Sequence, residues 1–493
     1  MIPETIRRLL LAAATAGCVT AAAASPQGHD LPEFGEPADR VLSPRQERAI
    51  GRQIVAELHE HGVILDDPEI DNYLNLIGLR LASHVPDRPE QMQFFMVRDP
   101  RINAFALPGG FVGINAGLLT AASSESELAG VLGHEIAHVT QRHIARTIDG
   151  TQASNMATWL AVLAAILIGS AAPDVILAAL SLGQAAAYQT QVNYTRAHEL
   201  EADRLGIRTL AAAGFDPEGM ADFFVRLEQQ SRLYGSGLPE ILRTHPINTT
   251  RISEARTRAE EYEPREVADT LEFRLMRARA RVLVGDRPSA AVNHFGQQLN
   301  TGRDTPETRY GLALALLELG QAERAEQTLK PALEAVPAQA NLNLLMARTA
   351  MARRDRDTAL QRYRRTAELF PKYAPALLAY ADALLINGDL DAARQLLVAR
   401  EMTLGTHTNT YRVLGQIARA GGDNGEAAYQ MSNYYLARGD VRNALRQLDA
   451  GLREPDLSDI ARARLKARRK EIRDSLPKDF RLEPEEPQRR RAG

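Results

Sequence analysis

The first regular pattern along the chain is a pair of apolar stripes at helical spacing. The stripes consist of Ile50, Ile54 and Leu58, followed by Ile70, Leu74, Ile77 and Leu81. Residues that recur at intervals of three and four lie on one face of a helix. The sequence therefore predicts two amphipathic helices at the start of the folded region.

Short runs of β-forming residues come next. Gln91–Val97 is followed by two apolar runs, Asn103–Leu107 and Phe111–Ile114, which are separated by Pro108-Gly109-Gly110. A Pro-Gly-Gly step between apolar runs is typical of a β-hairpin. Such a hairpin can offer an edge strand to an extended polypeptide, or it can belong to a closed structural sheet. The sequence leaves both alternatives open.

The strongest helix signal follows the hairpin. Ser124, with Glu127 three residues later, forms a capping-box pattern, and apolar residues continue from Leu128 to Val139 without proline. We expect one continuous helix from Ser124 to Arg146.

An alanine-rich segment whose single charged residue is Asp174 lies between residues 156 and 187. Pro173-Asp174 divides it into Met156–Ala172, which is near the minimum length for crossing a bilayer, and the shorter Val175–Ala187. Because the Pro-Asp step would interrupt a membrane span, Met156–Ala187 is interpreted as two short buried or lid-like helices. A transmembrane hairpin and reversible contact with a membrane surface are the alternatives.

The amino terminus has the organisation of a secretory signal. Arg7 and Arg8 precede an apolar run, and small residues end at Ala24, so residues 1–24 are predicted to be removed. Because the preceding Thr-Ala-Gly resembles a lipoprotein box, lipid attachment at Cys18 is the alternative. Residues 25–44, rich in Pro, Gly and charge, are predicted to be a linker.

The second half repeats with a period of 34 residues. Turns recur at Gly320, Arg354 and Gly388, each followed five residues later by alanine, and further units centre on Gly285 and Gly439. The turns at Gly388 and Gly439 are 51 residues apart, which implies that half a repeat is inserted between them. This period is that of a tetratricopeptide unit, two helices that bury their apolar faces against neighbouring units.

Residues 264–455 are therefore predicted to form an α-solenoid. Its concave groove is expected to bind peptide segments, with simple packing against the first domain as the alternative. Residues 456–493 are predicted to be a basic helix that continues into a disordered tail.

Charge and cysteine content limit the kinds of partner and metal site that the chain can have. Residues from 264 onward carry 38 Lys and Arg against 30 Asp and Glu, and the residues before carry 21 against 32. The basic second half is either a set of solvated helix faces or a surface that attracts anionic partners. No motif supports binding of nucleic acid. Since Cys18 is the single cysteine, a disulfide framework and a thiolate metal site within the chain are excluded.

Histidine and carboxylate therefore provide the metal-binding candidates. His134 and His138, four residues apart in the predicted helix, project from one face and can bind the same ion, and Glu135 points toward the same pocket. A catalytic zinc needs a third protein ligand and an open position. Glu199 is the candidate ligand, and Asp203, one turn later, is the candidate acceptor for a ligand histidine. Glu201 and His198 remain alternative ligands.

This set of residues resembles the Ste24/HtpX-like zinc endopeptidases of the gluzincin kind, which pair HExxH with a downstream ExxxD. The resemblance implies one zinc ion per chain, bound by His134, His138 and Glu199, with Glu135 as general base and Asp203 in support. It also places the His245-Pro246 step near the active site. His245 can donate a hydrogen bond to the developing oxyanion, or it can bind the metal as a fourth ligand and silence the enzyme; otherwise it is a surface histidine.

The expected fold is mainly α, with a gluzincin-type metalloprotease domain at residues 45–263 followed by the tetratricopeptide solenoid. With these repeats the chain resembles periplasmic members of the family. The resemblance implies a zinc metalloendopeptidase that degrades unfolded or misassembled outer-membrane proteins and assists their assembly, with the repeats contacting the assembly machinery. A repeat-based chaperone or scaffold with a silent metal site is the alternative.

Overall fold

The computed structural model describes residues 42–474, except for residues 87, 151–184, 235–239, 264, 266, 286 and 406. Several segments discussed above lie outside the described residues. They are the predicted signal with Cys18, nearly all of the linker, the alanine-rich segment up to residue 184, and the tail after residue 474. Within the described ranges, no helix is both long enough and apolar enough to cross a membrane.

The amino-terminal half combines helices with a small sheet, as predicted. Its described helices are α1 (Pro44–Glu60), α2 (Pro68–Ala82), α3 (Ala116–Ala121), α4 (Glu125–Thr140), α5 (His143–Gly150), α6 (Ala185–Ala212), α7 (Gly219–Tyr234), α8 (Ile241–Thr244) and α9 (Thr249–Ala259). The two amphipathic helices predicted at its start are confirmed as α1 and α2. Ser43 caps α1 with a full capping box, because its side chain accepts a hydrogen bond from an otherwise unpaired helix N–H.

The sheet contains β1 (Gln93–Val97), β2 (Ala104–Leu107) and β3 (Phe111–Asn115) in the order β1-β3-β2. The predicted hairpin is confirmed, since β2 pairs antiparallel with β3. The third strand, β1, pairs parallel with β3 on its other side. Gly109 and Gly110 form the turn with φ of 77° and 94°, a backbone region that glycine adopts without strain. β2 is therefore an edge strand of the described sheet, and it lies against α4.

The prediction of one helix from Ser124 to Arg146 is wrong. Ser124 does cap α4, with its side chain accepting from Glu127 N, but α4 ends at Thr140 and α5 begins at His143. Arg142 between them has φ of 51°, and its side chain binds Leu42 O and pairs with Glu47 on α1. These contacts stabilise the left-handed backbone conformation of Arg142, which the apolar periodicity of the sequence does not predict.

The carboxy-terminal half consists of antiparallel helix pairs, as the 34-residue period predicts. Its described helices are α10 (Leu271–Val284), α11 (Pro288–Asn300), α12 (Pro306–Glu318), α13 (Ala322–Ala335), α14 (Ala340–Ala352), α15 (Arg356–Leu369), α16 (Ala374–Asn387), α17 (Leu390–Ala399), α18 (Glu401–Leu404), α19 (Thr408–Ala420), α20 (Asn424–Ala437), α21 (Val441–Leu452) and α22 (Asp459–Asp474). The inserted half repeat is confirmed as α19, preceded by the short α18.

A buried ionic cluster joins α2 to the repeats. Glu69 on α2 is fully buried and pairs with Arg279 of α10 and Arg348 of α14. Asn341 donates to its other oxygen at 2.6 Å. Arg279 also donates to both oxygens of Asp67, at 2.8 and 2.6 Å. Two arginines thus balance two carboxylates inside a core that extends from Leu65 to Met346, so the first repeats pack directly on the amino-terminal half.

The solenoid also returns to the amino-terminal helices at its far end. Arg438, just after α20, donates to Asp66 at 2.8 Å and contacts His59 of α1 at 2.7 Å. The repeats therefore contact α1 and α2 at two separate places and enclose a cavity between them.

Replacement of Arg279 by methionine is expected to lower the free energy of unfolding by about 3–5 kcal/mol, because Asp67 and Glu69 lose a buried cation. Urea denaturation of the full chain followed by circular dichroism measures this loss. Arg394→Met, at an exposed position of α17, is the matched control and should change stability by about 0.5 kcal/mol or less. Equal stability of the two variants would contradict a role for the ionic cluster.

Candidate active site

The candidate site lies where α4 crosses α6. Glycines permit the two helices to approach closely: a Cβ added at Gly206 of α6 would lie 3.0 Å from His134 N, and one added at Gly133 would lie 3.1 Å from Gly206 O. Both contacts are tighter than side chains normally allow. The Gly133–Gly206 contact therefore brings the carboxylates of α6 within reach of the histidines on α4.

Four side chains from three segments of the chain converge at this crossing. His134 and His138 of α4, Glu199 of α6 and His245 after α8 each offer one atom, and these atoms lie within 4.8 Å of one another. His134 Nε2 lies 3.0 Å from His138 Nε2 and 3.3 Å from His245 Nδ1. Glu199 lies 3.4 Å from each of the α4 histidines and 2.9 Å from His245 Nδ1. The arrangement brings together the residues that the sequence selected from positions 134 to 245.

These spacings fit a tetrahedral metal site. With bond lengths of about 2.0–2.1 Å, the ligand atoms of a four-coordinate zinc lie about 3.3 Å apart, close to the observed 2.9–3.4 Å. Glu135 beside them is 1% exposed, and neither of its carboxylate oxygens has a hydrogen-bond partner among the described residues. His245 Nε2 lies 3.6 Å from Glu135 Oε1, too far for a hydrogen bond. A buried carboxylate without donors is costly, and a water molecule admitted beside a metal would satisfy it. The residues present therefore fit a metal with an adjacent general base.

Asp203 and Arg251 fix the orientation of this cluster. Asp203 Oδ1 lies 2.9 Å from His134 Nδ1, so the ring presents Nε2 to the other donors. Arg251 of α9 donates to both oxygens of Asp203 at 2.7 Å, and it lies 2.9 Å from Glu199. The same guanidinium donates to Pro246 O at 2.9 Å and so holds the backbone next to His245. One buried arginine thus supports three of the converging residues.

The electrostatic balance of the cluster favours a cation. Burial disfavours protonation of His134, but hydrogen bonds to Asp203 and Glu199 outweigh it and raise its pKa to about 10. Burial raises the pKa of Glu199, yet the nearby His245 and His134 lower it well below its usual value. Since metal ligands must lose their protons, a bound cation would replace the proton of His134 between the two carboxylates.

The two alternative ligands point elsewhere. Glu201 lies 3.2 Å from His143 Nε2 and 3.0 Å from Arg146. The ring of His198 stacks on that of His143, with centroids 4.1 Å apart. Neither residue belongs to the converging group, and the spacing of four between Glu199 and Asp203 correctly separates their helix face from that of Glu201.

Two residues at the site were missed by sequence reasoning. Arg251, in the first turn of α9 and six residues after His245, carried no sequence signal. His143, which no sequence motif connects with His138, lies with its Nδ1 2.8 Å from His138 Nδ1. In a continuous helix a residue five positions after His138 would lie on another face. The contact between His143 and His138 could therefore be predicted only if the helix break at Arg142 were known.

Comparisons with known proteins agree with both halves of this architecture. Residues 68–259 match the model of peptidase family M48, and residues 286–349 match a tetratricopeptide repeat model. The β-barrel assembly-enhancing protease of Escherichia coli (strain K12) is 32% identical over 94% of this chain and 95% of its own length. A Vibrio cholerae relative is 40% identical over 66% of this chain and 67% of its own length. The mitochondrial metalloendopeptidase OMA1 of Arabidopsis thaliana is 34% identical over 32% of this chain and 30% of its own length.

Replacement of Arg251 by lysine is expected to weaken metal binding by about 10- to 100-fold, because lysine cannot donate two parallel hydrogen bonds to Asp203. Competition with a chromogenic zinc chelator measures the affinity. Arg256→Lys, exposed on the same helix, should leave it unchanged. Equal affinities in the two variants would show that Arg251 does not organise the ligands.

Proposed function

This chain belongs to peptidase family M48, as a metalloprotease with carboxy-terminal tetratricopeptide repeats, and from that premise we propose that it is a zinc endopeptidase of the bacterial periplasm. It would cleave unfolded or misassembled outer-membrane proteins and assist their assembly. The name of the 32% identical Escherichia coli relative, a β-barrel assembly-enhancing protease, supports this substrate class. The convergence of His134, His138, Glu199 and His245 within 4.8 Å, beside a buried Glu135, carries the catalytic part of the proposal.

The proposed chemistry is hydrolysis of a peptide bond with Glu135 as general base. A zinc ion held by His134, His138 and Glu199 would supply the Lewis acidity that polarises the scissile carbonyl and lowers the pKa of a water molecule. Glu135 takes the proton of the attacking water and returns it to the leaving amine. Its carboxylate is suited to this because no hydrogen bond from another described residue occupies its oxygens.

The hairpin is the proposed guide for an extended substrate. β2 is an edge strand of the described sheet and packs against α4, which carries His134 and Glu135. Ile241 N at the start of α8 donates to Ile102 O just before β2 at 3.2 Å, which ties the segment carrying His245 to the same edge. A polypeptide paired with β2 would lie beside the catalytic residues with its backbone extended.

His245 is proposed to act as the fourth metal ligand in this conformation. Its Nδ1 lies 2.9 Å from Glu199 and 3.3 Å from His134 Nε2, which is the spacing of the other donors. A fourth protein ligand occupies the position that water or substrate requires in a catalytic zinc site. The conformation is therefore a resting one, and His245 leaves the ligand group when substrate enters.

The repeats are proposed to bind part of the polypeptide substrate or an assembly partner. A cavity of about 740 Å³ lies between the amino-terminal half and the last repeats. Leu76 and Leu79 of α2 line it and are 56% and 42% exposed. Asn72 Nδ2 and Arg468 Nε are buried atoms of lining residues that have no hydrogen-bond partner among the described residues. Exposed leucines beside free donors suit an unfolded chain, which supplies apolar side chains and carbonyl acceptors.

The same cavity favours a second candidate function, a repeat-based chaperone or scaffold in which the metal site is silent. In that case binding at the cavity would suffice, and hydrolysis would not be needed for the biological role.

Replacement of Glu135 by glutamine is expected to lower hydrolysis of unfolded casein by about 100- to 10,000-fold, because the amide cannot accept the proton of water. Metal content, measured by atomic emission, should stay at one zinc per chain, and the circular dichroism spectrum should be unchanged. Glu260→Gln, exposed after α9, is the matched control and should retain full activity.

The two candidate functions differ in what the Glu135→Gln variant does in cells. Failure to restore outer-membrane protein assembly in a strain lacking the chain supports the protease. Full restoration by this inactive variant would instead support the scaffold.

Replacement of His245 by alanine is expected to raise casein hydrolysis several-fold while one zinc per chain is retained, because a ligand position opens to water. His61→Ala, exposed after α1, should have no effect. A loss of hydrolysis with zinc retained would contradict the fourth-ligand role and assign His245 to stabilisation of the oxyanion.

A further inference from the structure

His138 has a second ring contact that the proposed metal site does not explain. Its Nε2 points into the ligand group, 3.0 Å from His134 Nε2 and 3.4 Å from Glu199. Its Nδ1 points the opposite way and lies 2.8 Å from Nδ1 of His143. A contact this short between two imidazole nitrogens requires one to donate and the other to accept a hydrogen bond.

The direction of that hydrogen bond follows from the role of His138. If Nε2 binds the metal, the ring is neutral and its hydrogen sits on Nδ1. His143 Nδ1 must then be the acceptor, and the hydrogen of His143 sits on Nε2. That nitrogen faces Glu201 Oε2 at 3.2 Å, a carboxylate that Arg146 in turn holds at 3.0 Å.

We propose that His143 is a positioning residue that fixes the tautomer and ring orientation of the metal ligand His138, through a relay that ends on Glu201 and Arg146. This inference rests on the proposed function, since it assigns His138 as a ligand. Each of the two proposed ligand histidines on α4 then has its own carboxylate-arginine pair. His134 is held directly by Asp203 with Arg251, and His138 is held through the intervening ring of His143.

The fold is built to keep His143 in this place. His143 is 3% exposed, and its ring stacks on His198 with an angle of 10° between the planes. The left-handed Arg142 ends the preceding helix turn and redirects the chain, and the pair with Glu47 anchors it. The break between α4 and α5 is therefore needed for this contact, because it turns His143, five positions after His138, back toward the His138 ring.

The test compares two replacements of His143 in the full-length chain. His143→Leu removes the acceptor and is expected to weaken zinc binding by about 10- to 100-fold in chelator competition. His143→Asn places an amide oxygen where Nδ1 was and is expected to recover most of the affinity. His294→Leu, at a half-buried histidine of α11 that also contacts a ring and a glutamine, is the matched control and should bind zinc normally.

A spectroscopic readout separates positioning from general destabilisation. In the zinc-loaded chain labelled with nitrogen-15 histidine, His138 Nδ1–H should give a downfield, exchange-protected proton resonance. The resonance should persist in His143→Asn and disappear in His143→Leu. Equal zinc affinity in the Leu and Asn variants, or persistence of the resonance in His143→Leu, would overturn the relay.

The far end of the relay provides a second variant pair, in case His143→Leu does not fold. Glu201→Gln keeps an acceptor for His143 Nε2–H, whereas Glu201→Leu removes it, so zinc affinity is expected to fall further in the leucine variant. Identical affinities would overturn the proposal. If the unaltered chain binds no zinc, the proposed function itself fails; if it binds one zinc and both variant pairs behave alike, only the relay fails.

Discussion

A carboxylate removed from water must regain the lost hydration from a cation or from hydrogen-bond donors, and this requirement organises the protein in two places. Glu69 and Asp67 are paired with Arg279 and Arg348 where α2 meets the repeats. Asp203 and Glu199 are paired with Arg251 at the proposed metal-ligand group. Arginine suits these positions because its planar fork can donate two parallel hydrogen bonds to one carboxylate.

Glu135, the proposed general base, has no arginine partner among the described residues, and its contact with His245 Nε2 is longer, at 3.6 Å. It is as buried as Asp203 and Glu199, but neither of its oxygens accepts a hydrogen bond from another described residue. A carboxylate held by arginine has its lone pairs occupied and its basicity reduced. The oxygens of Glu135 accept no such hydrogen bond, so the same buried environment distinguishes the proposed supporting carboxylates from the proposed general base.

The sequence predicted what depends on regular spacing and missed what depends on a single backbone torsion. Two histidines four apart, a carboxylate pair four apart and a 34-residue period all follow from helix geometry, and the structure places each on the expected face. The break between α4 and α5 depends on one residue, Arg142, with φ of 51°, and apolar periodicity does not predict it. His143 therefore looked unrelated to His138. Arg251 was missed because its partners Asp203 and Glu199 lie about fifty positions earlier and no local pattern links them.

The position of the catalytic helix depends on the repeats as well as on its own half. Glu125 at the first turn of α4 receives a hydrogen bond from Thr270 Oγ1 at 2.9 Å, and its backbone N–H donates to Asp269 at 2.7 Å. Arg277 of α10 donates to Ala122 O at 3.0 Å. His134 lies nine residues after Glu125 in the same helix. Contacts from the first repeat therefore hold the amino-terminal end of the helix that carries His134. The solenoid is therefore part of the frame that aligns α4 with α6, because α10 and the residues before it hold the start of the helix that carries the proposed ligand histidines.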